Sequence, residues 1–193
     1  MIAIIKYNAG NIRSVQNALV RLGYESIITD NPEEIRKADK VIFPGVGEAK
    51  TAMAYLKERG LDKVILSLKQ PMLGICLGLQ LMCKSSEEGN TECLGIFDAE
   101  TKQFPPQEKV PHMGWNNFSE IKKSKVLNGL EKTDDVYYVH GYYAEVTEDT
   151  IATCNYIKPF SAIMQKDNFY AMQFHPEKSA NVGEKLLESF LEL

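Results

Sequence analysis

Four short β-rich apolar runs occupy the first 85 residues, each followed by apolar positions at helical spacing, and few architectures accept that alternation. IAIIK (2–6) leads through the turn-like YNAGN into Ile12, Val15, Leu19 and Leu22, one face of a helix. YESIIT (24–29) reads as a second strand, and NPEEIRKA as a capped short helix with Pro32 near its first turn. VIF (41–43) ends at PGVG; helices over roughly 48–59 and 61–69 then lead to MLGI, which runs into Cys76. The pattern predicts an α/β fold with an open, mostly parallel sheet and helices on both of its faces.

From about 93 to 175 the helical period fades, and VYYV (136–139), IATC (151–154), SAIM (161–164) and FYAMQF (169–174) read as strands. They predict an antiparallel extension that returns the chain to the main sheet. Val182, Leu186, Leu187, Phe190 and Leu191 share one face of a closing helix over roughly 180–192. With no repeat, low-complexity tract or linker, residues 1–193 are expected to form one domain. A hydrophobic content of 44% suits that reading, since a domain of this size buries roughly 70% of its unfolded surface. The net charge of -4 comes without a basic stripe, so neither nucleic acid nor membrane is expected as a partner. Apolar runs fall far short of the roughly 20 residues that span a bilayer, and MIAIIKYNAG lacks the layout of a signal peptide, so a cytoplasmic location is expected.

Chemistry concentrates in PMLGICLGLQLM (71–82). Cys83, Cys93 and Cys154 read as small buried hydrophobes, and the four cysteines suggest neither a zinc site nor a disulfide framework. Cys76 differs, because it sits between Gly74 and Gly78 where a strand should meet a helix. A nucleophile on such a sharp turn needs small residues two before and two after it. A helix N-terminus also favours a thiolate. The competing reading is a buried cysteine beside two packing glycines.

A general base is sought among three histidines: His112, His140 and His175. His175 ends the apolar run of FYAMQFHPEKS, Pro176 biases it toward an extended conformation, and Glu177 follows two positions later on the same side. That spacing suits a nucleophile, a base and an orienting carboxylate: Cys76, His175 and Glu177. PGVG (44–47) lies beyond a neighbouring strand, where its backbone can turn N–H groups toward a ligand. An N–H near Val46 or Gly47 and the N–H of Leu77 would then form an oxyanion hole, unless PGVG is an ordinary β-to-α turn.

PGVG, GICLGLQLM and QFHPEKS, in this order along the chain, resemble the class I, triad-type glutamine amidotransferases, whose sheet is flavodoxin-like. Within them YNAGNIRSV, PHMGWN (111–116), YVHGYY (138–143) and Lys178 resemble the branch that serves histidine biosynthesis. The resemblance implies that Cys76 attacks the side-chain amide of glutamine and that His175 protonates the departing ammonia. Water then releases glutamate from the thioester. Gln80, one helical turn after Cys76, is implied as a substrate contact, as are backbone groups near Gly45, Gly47, Gly141 and Tyr142. The implied partner in a heterodimer is a separate (β/α)8 cyclase, which uses the ammonia to make imidazole glycerol phosphate and aminoimidazole carboxamide ribotide. Asn11, Trp115, Tyr137 and Lys178 match positions that face it, although Trp115 suits core packing equally. Neither a cofactor nor a metal is expected.

Departures from the family pattern fall at Lys6 and Asn8 around the first tyrosine and at Gly141 after a histidine, and none touches the triad. Three other readings stay open: an amidotransferase or γ-glutamyl hydrolase serving another acceptor, a catalytically silent regulatory module, and a redox-sensing thiol protein.

Overall fold

The computed structural model describes all 193 residues. In its first part β1 (Ile2–Ile5), α1 (Ile12–Arg21), β2 (Ser26–Thr29), α2 (Pro32–Lys37) and β3 (Lys40–Gly45) follow in turn. They are succeeded by α3 (Ala49–Glu58), α4 (Leu61–Ser67), β4 (Met72–Cys76) and α5 (Leu77–Met82). Local chemistry explains several boundaries. The Asn31 side chain accepts from the Glu33 N–H and Pro32 occupies the first turn of α2, which is the expected cap. β3 runs two residues beyond VIF because Pro44 and Gly45 pair with Ile75 and Cys76, so half of PGVG is strand.

The middle of the chain is more divided than its sequence suggests. β5 (Ser85–Ser86), β6 (Thr91–Glu92), β7 (Glu100–Gln103), β8 (His112–Asn116) and β9 (Glu120–Ile121) precede β10 (Val136–His140) and β11 (Tyr142–Ala144). β12 (Thr150–Tyr156), β13 (Lys158–Lys166), β14 (Phe169–Met172) and the closing α6 (Ala180–Leu191) complete it. The main sheet has the order β2-β1-β3-β4-β14-β13-β12-β9. Its first five strands are parallel, and β13, β12 and β9 extend it antiparallel, as expected for IATC and SAIM, whereas FYAMQF, expected in that extension, is β14 and pairs parallel with β4. VYYV departs further. Its strand β10 pairs with β8 in a separate two-stranded ribbon, while β11, β7, β5 and β6 form a small sheet of their own.

Alternation along the parallel strands sends side chains to two cores. Ala3, Ile5, Val41 and Phe43 meet α2, α3, α4 and α5 on one face. Ile2, Ile4, Ile42, Leu73 and Ile75 meet α1, α6 and the β8–β10 ribbon on the other. Leu19, Leu56, Leu187 and Phe190 are completely buried, each worth roughly 1.5–3 kcal/mol relative to exposure. No helix is long and apolar enough to cross a membrane. The parallel strands follow the order 2-1-3-4, which places a topological switch point between β1 and β3, and the loops after β1, β3 and β4 converge there.

Candidate active site

At the end of β4 the chain reverses direction within one residue. Cys76 has φ 53° and ψ -106°, a left-handed-side backbone that costs energy in a non-glycine residue, and α5 begins directly after it. The flanking glycines make the turn possible in two ways. A Cβ on Gly74 would lie 2.5 Å from Met82 Sδ and 3.0 Å from the Gly78 carbonyl carbon, a collision across the turn as expected. A Cβ on Gly78 would instead lie 1.9 Å from the Phe43 carbonyl oxygen, so this glycine lets α5 seat against the neighbouring strand.

His175 is held by its backbone. Its N–H donates to the Tyr137 carbonyl at 2.9 Å, and its carbonyl accepts from Ser179 Oγ at 2.7 Å. Its Nδ1 lies 2.8 Å from Glu177 Oε1, and both side chains are wholly buried. Burial alone would depress this imidazole; the nearby Cys76 sulfur and the hydrogen-bonded Glu177 carboxylate outweigh it and push the group up to about 9. At neutral pH His175 is therefore an imidazolium whose Nδ1–H donates to Glu177. Its Nε2 has no hydrogen-bond partner within the chain, which leaves one proton to give away.

Asn11 adds a contact the sequence did not suggest. Its backbone is left-handed at φ 74°, and its Nδ2 donates to Glu177 Oε1 at 2.6 Å and lies 3.2 Å from His175 Nδ1. A residue assigned to the partner face thus rests on the orienting carboxylate.

Beside the thiol is a cavity of about 240 Å³, lined by Val46, Gly47, Cys76, Leu77 and Gln80 from the β3 and β4 ends, and by Gly141 and Tyr142 from the far wall. The structure thus brings together the expected oxyanion and substrate residues except Gly45, which is buried as the last residue of β3 and does not line the cavity. Gly47 has φ 136°, a conformation that suits glycine and turns the backbone of the loop at this point. Two titratable residues outside the expected set also line the wall. Glu88 presents a half-buried carboxylate that accepts from the Ala49 N–H at 2.7 Å, and burial raises its pKa. His140, one of the three histidines among which a base was sought, reaches the cavity as well. A polar loop between the two-residue strands β5 and β6 gave no periodic signal for Glu88.

The ribbon behind the site carries apolar side chains outward. Met113 and Trp115 are each 55% exposed, so Trp115 is no core residue, and its ring meets Tyr137 edge-on at 5.9 Å. Lys178 is exposed next to Glu177. Clustered apolar residues of this kind are more informative than scattered ones, which are ordinary on a protein surface. As an arrangement the site offers a strained thiol at a helix N-terminus, a charged imidazole with a free proton, and a small cavity with carboxylate and amide groups on its walls.

A family model described as glutamine amidotransferase class-I matches residues 3–193. A Bacteroides fragilis (strain YCH46) protein, imidazole glycerol phosphate synthase subunit HisH, is 60% identical over 100% of this chain and 99% of its own. The subunit HisH of Bacteroides thetaiotaomicron is 56% identical over the same shares. Among solved structures, a glutamine amidotransferase superposes with a TM-score of 0.77 at 19% identity, covering 100% of this chain and 98% of that one. The glutaminase domain of Trypanosoma brucei CTPS with bound acivicin gives 0.66 at 15% identity, covering 99% and 93%. At those identities the structural likeness is one of fold.

Proposed function

The chain belongs to the class-I glutamine amidotransferase family, and on that premise we propose that Cys76, His175 and Glu177 hydrolyse glutamine for a separate cyclase. The enzyme is a glutamine amidotransferase, and its function is that of the imidazole glycerol phosphate synthase subunit in histidine biosynthesis. The thiolate of Cys76 attacks the side-chain carbonyl carbon of glutamine, and the resulting oxyanion accepts from backbone N–H groups of Leu77 and of Val46 or Gly47. His175 passes its Nε2 proton to the departing nitrogen, and Glu177 holds the ring by Nδ1 throughout. Water then attacks the thioester, His175 takes its proton, and glutamate leaves. Gln80 and the backbone at Gly141 and Tyr142 hold the substrate, with Glu88 facing its ammonium group.

The observation that carries this reading is the buried His175–Glu177 pair at 2.8 Å beside a strained Cys76 that opens on a cavity of about 240 Å³. The exposed Met113 and Trp115, the half-buried Tyr137 against Trp115 and the exposed Lys178 support a (β/α)8 cyclase as heterodimer partner, in the cytoplasm. Glutamate release from glutamine tests it, measured with the purified chain alone, with the histidine-pathway cyclase, and with that cyclase plus its nucleotide ligand. Strong release in the complex is the expected outcome. Cys76→Ala abolishes it, a loss of at least about 10³-fold, while synthesis from added ammonium salts persists. Equal release with and without the cyclase would assign the triad to a different acceptor.

A further inference from the structure

Gln173 is completely buried, its side chain reaches the reacting sulfur, and the mechanism above does not use it. Its Nε2 lies 3.8 Å from Cys76 Sγ, and its Oε1 accepts from Gln80 Nε2 at 3.2 Å. Which end of each amide points where is settled by a group that cannot flip. The Tyr142 carbonyl only accepts, and it receives Gln80 Nε2 at 2.9 Å and His140 Nδ1 at 2.7 Å. A flipped Gln80 would set its oxygen against two acceptors, so Gln80 donates to both. With Gln173 Oε1 thus engaged, its N–H group faces the sulfur.

The same carbonyl orders two histidines. Burial holds His140 at about 3 and His112 at about 4, so both rings are neutral and each has one N–H. His140 spends its proton on Tyr142, so its Nε2 accepts from His112 Nδ1 at 3.0 Å. His112 Nε2 then accepts from Asn116 Nδ2 at 3.4 Å, one residue from the exposed Trp115. Tyr138 and Tyr156 stack on His112 at 4.9 and 4.0 Å and lock its ring plane.

We propose that Gln173 donates a hydrogen bond to the Cys76 thiolate, and that Asn116, His112 and His140 are positioning residues which, through the Tyr142 carbonyl and Gln80, keep that donor aimed at the sulfur. The proposal rests on Cys76 being the nucleophile. The other titratable groups around the thiol are His175 and Glu177 after β14, Tyr7 after β1, and His140, Tyr142 and Glu88 on the cavity walls. All are left in place by substitutions at Gln173.

Alkylation of Cys76 by iodoacetamide across pH, followed by peptide mass spectrometry on the full chain, reads thiolate stabilisation as the ratio of the rate at pH 7 to the alkaline plateau. Gln173→Met keeps the length and removes the donor; the ratio is expected to fall about 10-fold, with a lower kcat and little change in KM. Gln173→Glu should lower it at least as far. His140→Phe should lower it about 3-fold alone and by nothing more in the Gln173→Met background. An unchanged ratio in folded Gln173→Met overturns the proposal, and full additivity with His140→Phe removes the histidines from it. If Gln173→Met melts below the assay temperature, Gln80→Glu, which turns an oxygen toward Tyr142 and Gln173, takes its place with the same expected fall. Glutamate release by the unaltered chain tests the nucleophile separately, so a shifted ratio without glutamine turnover would discard the amidotransferase mechanism and keep the hydrogen-bond chain.

Discussion

His175 and His140 are both buried beside Cys76, yet their imidazoles are driven in opposite directions, up to about 9 and down to about 3. Burial lowers both. The difference lies in their partners: His175 has Glu177 at 2.8 Å and the thiol nearby, whereas His140 faces a neutral ring and a carbonyl. The first pair can carry and deliver a proton at neutral pH. The second can only hold a direction, because a neutral imidazole with one donor and one acceptor transmits orientation along a chain. Two buried histidine sites thus take different work from the charges beside them.

The largest test of that contrast is Glu177→Gln, which keeps the shape of the carboxylate and removes its charge. Glutamine turnover is expected to fall by roughly 10³ to 10⁴, the scale seen when a triad loses its acidic member. A loss under ten-fold, read from kcat in the complex, would mean that Asn11 and the backbone orient the imidazole without Glu177. Next in size is a pH effect. The folded value of His175 lies above the ordinary 6.5, so the imidazolium and its share of stability are fully present below pH 6.5 and are lost as pH rises through about 9. The alkaline limb of kcat/KM should have its midpoint near 9, and Glu177→Gln should move that midpoint downward. A limb already complete by pH 7 would show that His175 works as a neutral base. The smallest effect belongs to His112→Phe, which leaves His140 Nε2 without a donor. Thermal unfolding should report a loss of about 1–3 kcal/mol, equal at pH 6 and pH 8 because His112 stays neutral at both. A pH-dependent loss would mean that the histidine pair carries charge.

Much of the parallel half was legible because its strands and helices are specified by short-range periodicity. IAIIK, VIF and MLGI lie at the predicted places, and the helices expected over 48–59 and 61–69 are Ala49–Glu58 and Leu61–Ser67. The region from 85 to 144 was not. β5, β6 and β7 are two to four residues long and largely polar, with no alternation to detect, and their pairing is set by the strands they meet. VYYV was recognisable as a strand, but its place in a ribbon depends on register with HMGWN, Val136 facing Asn116 and Val139 facing Met113.

By itself the sequence determined the turn at Cys76, because a strand that reverses into a helix there, packed against its neighbours, has no room for a side chain at Gly74 or Gly78. It also pointed to the pairing of His175 with Glu177, though for another reason than the one at work: His175 is extended as expected, but Pro176–Lys178 forms a 3-10 turn, and that turn carries the Glu177 carboxylate back to Nδ1. The tertiary structure alone decided the rest. Asn11 reaches Glu177 from 166 residues away, Cys76 approaches the Val139 carbonyl from 63, and Gln80 meets Gln173 across 93. Local propensity carries no record of such distances. Burial and partner charge, which choose whether a histidine gives a proton or keeps one, exist only once the strands have brought those residues together.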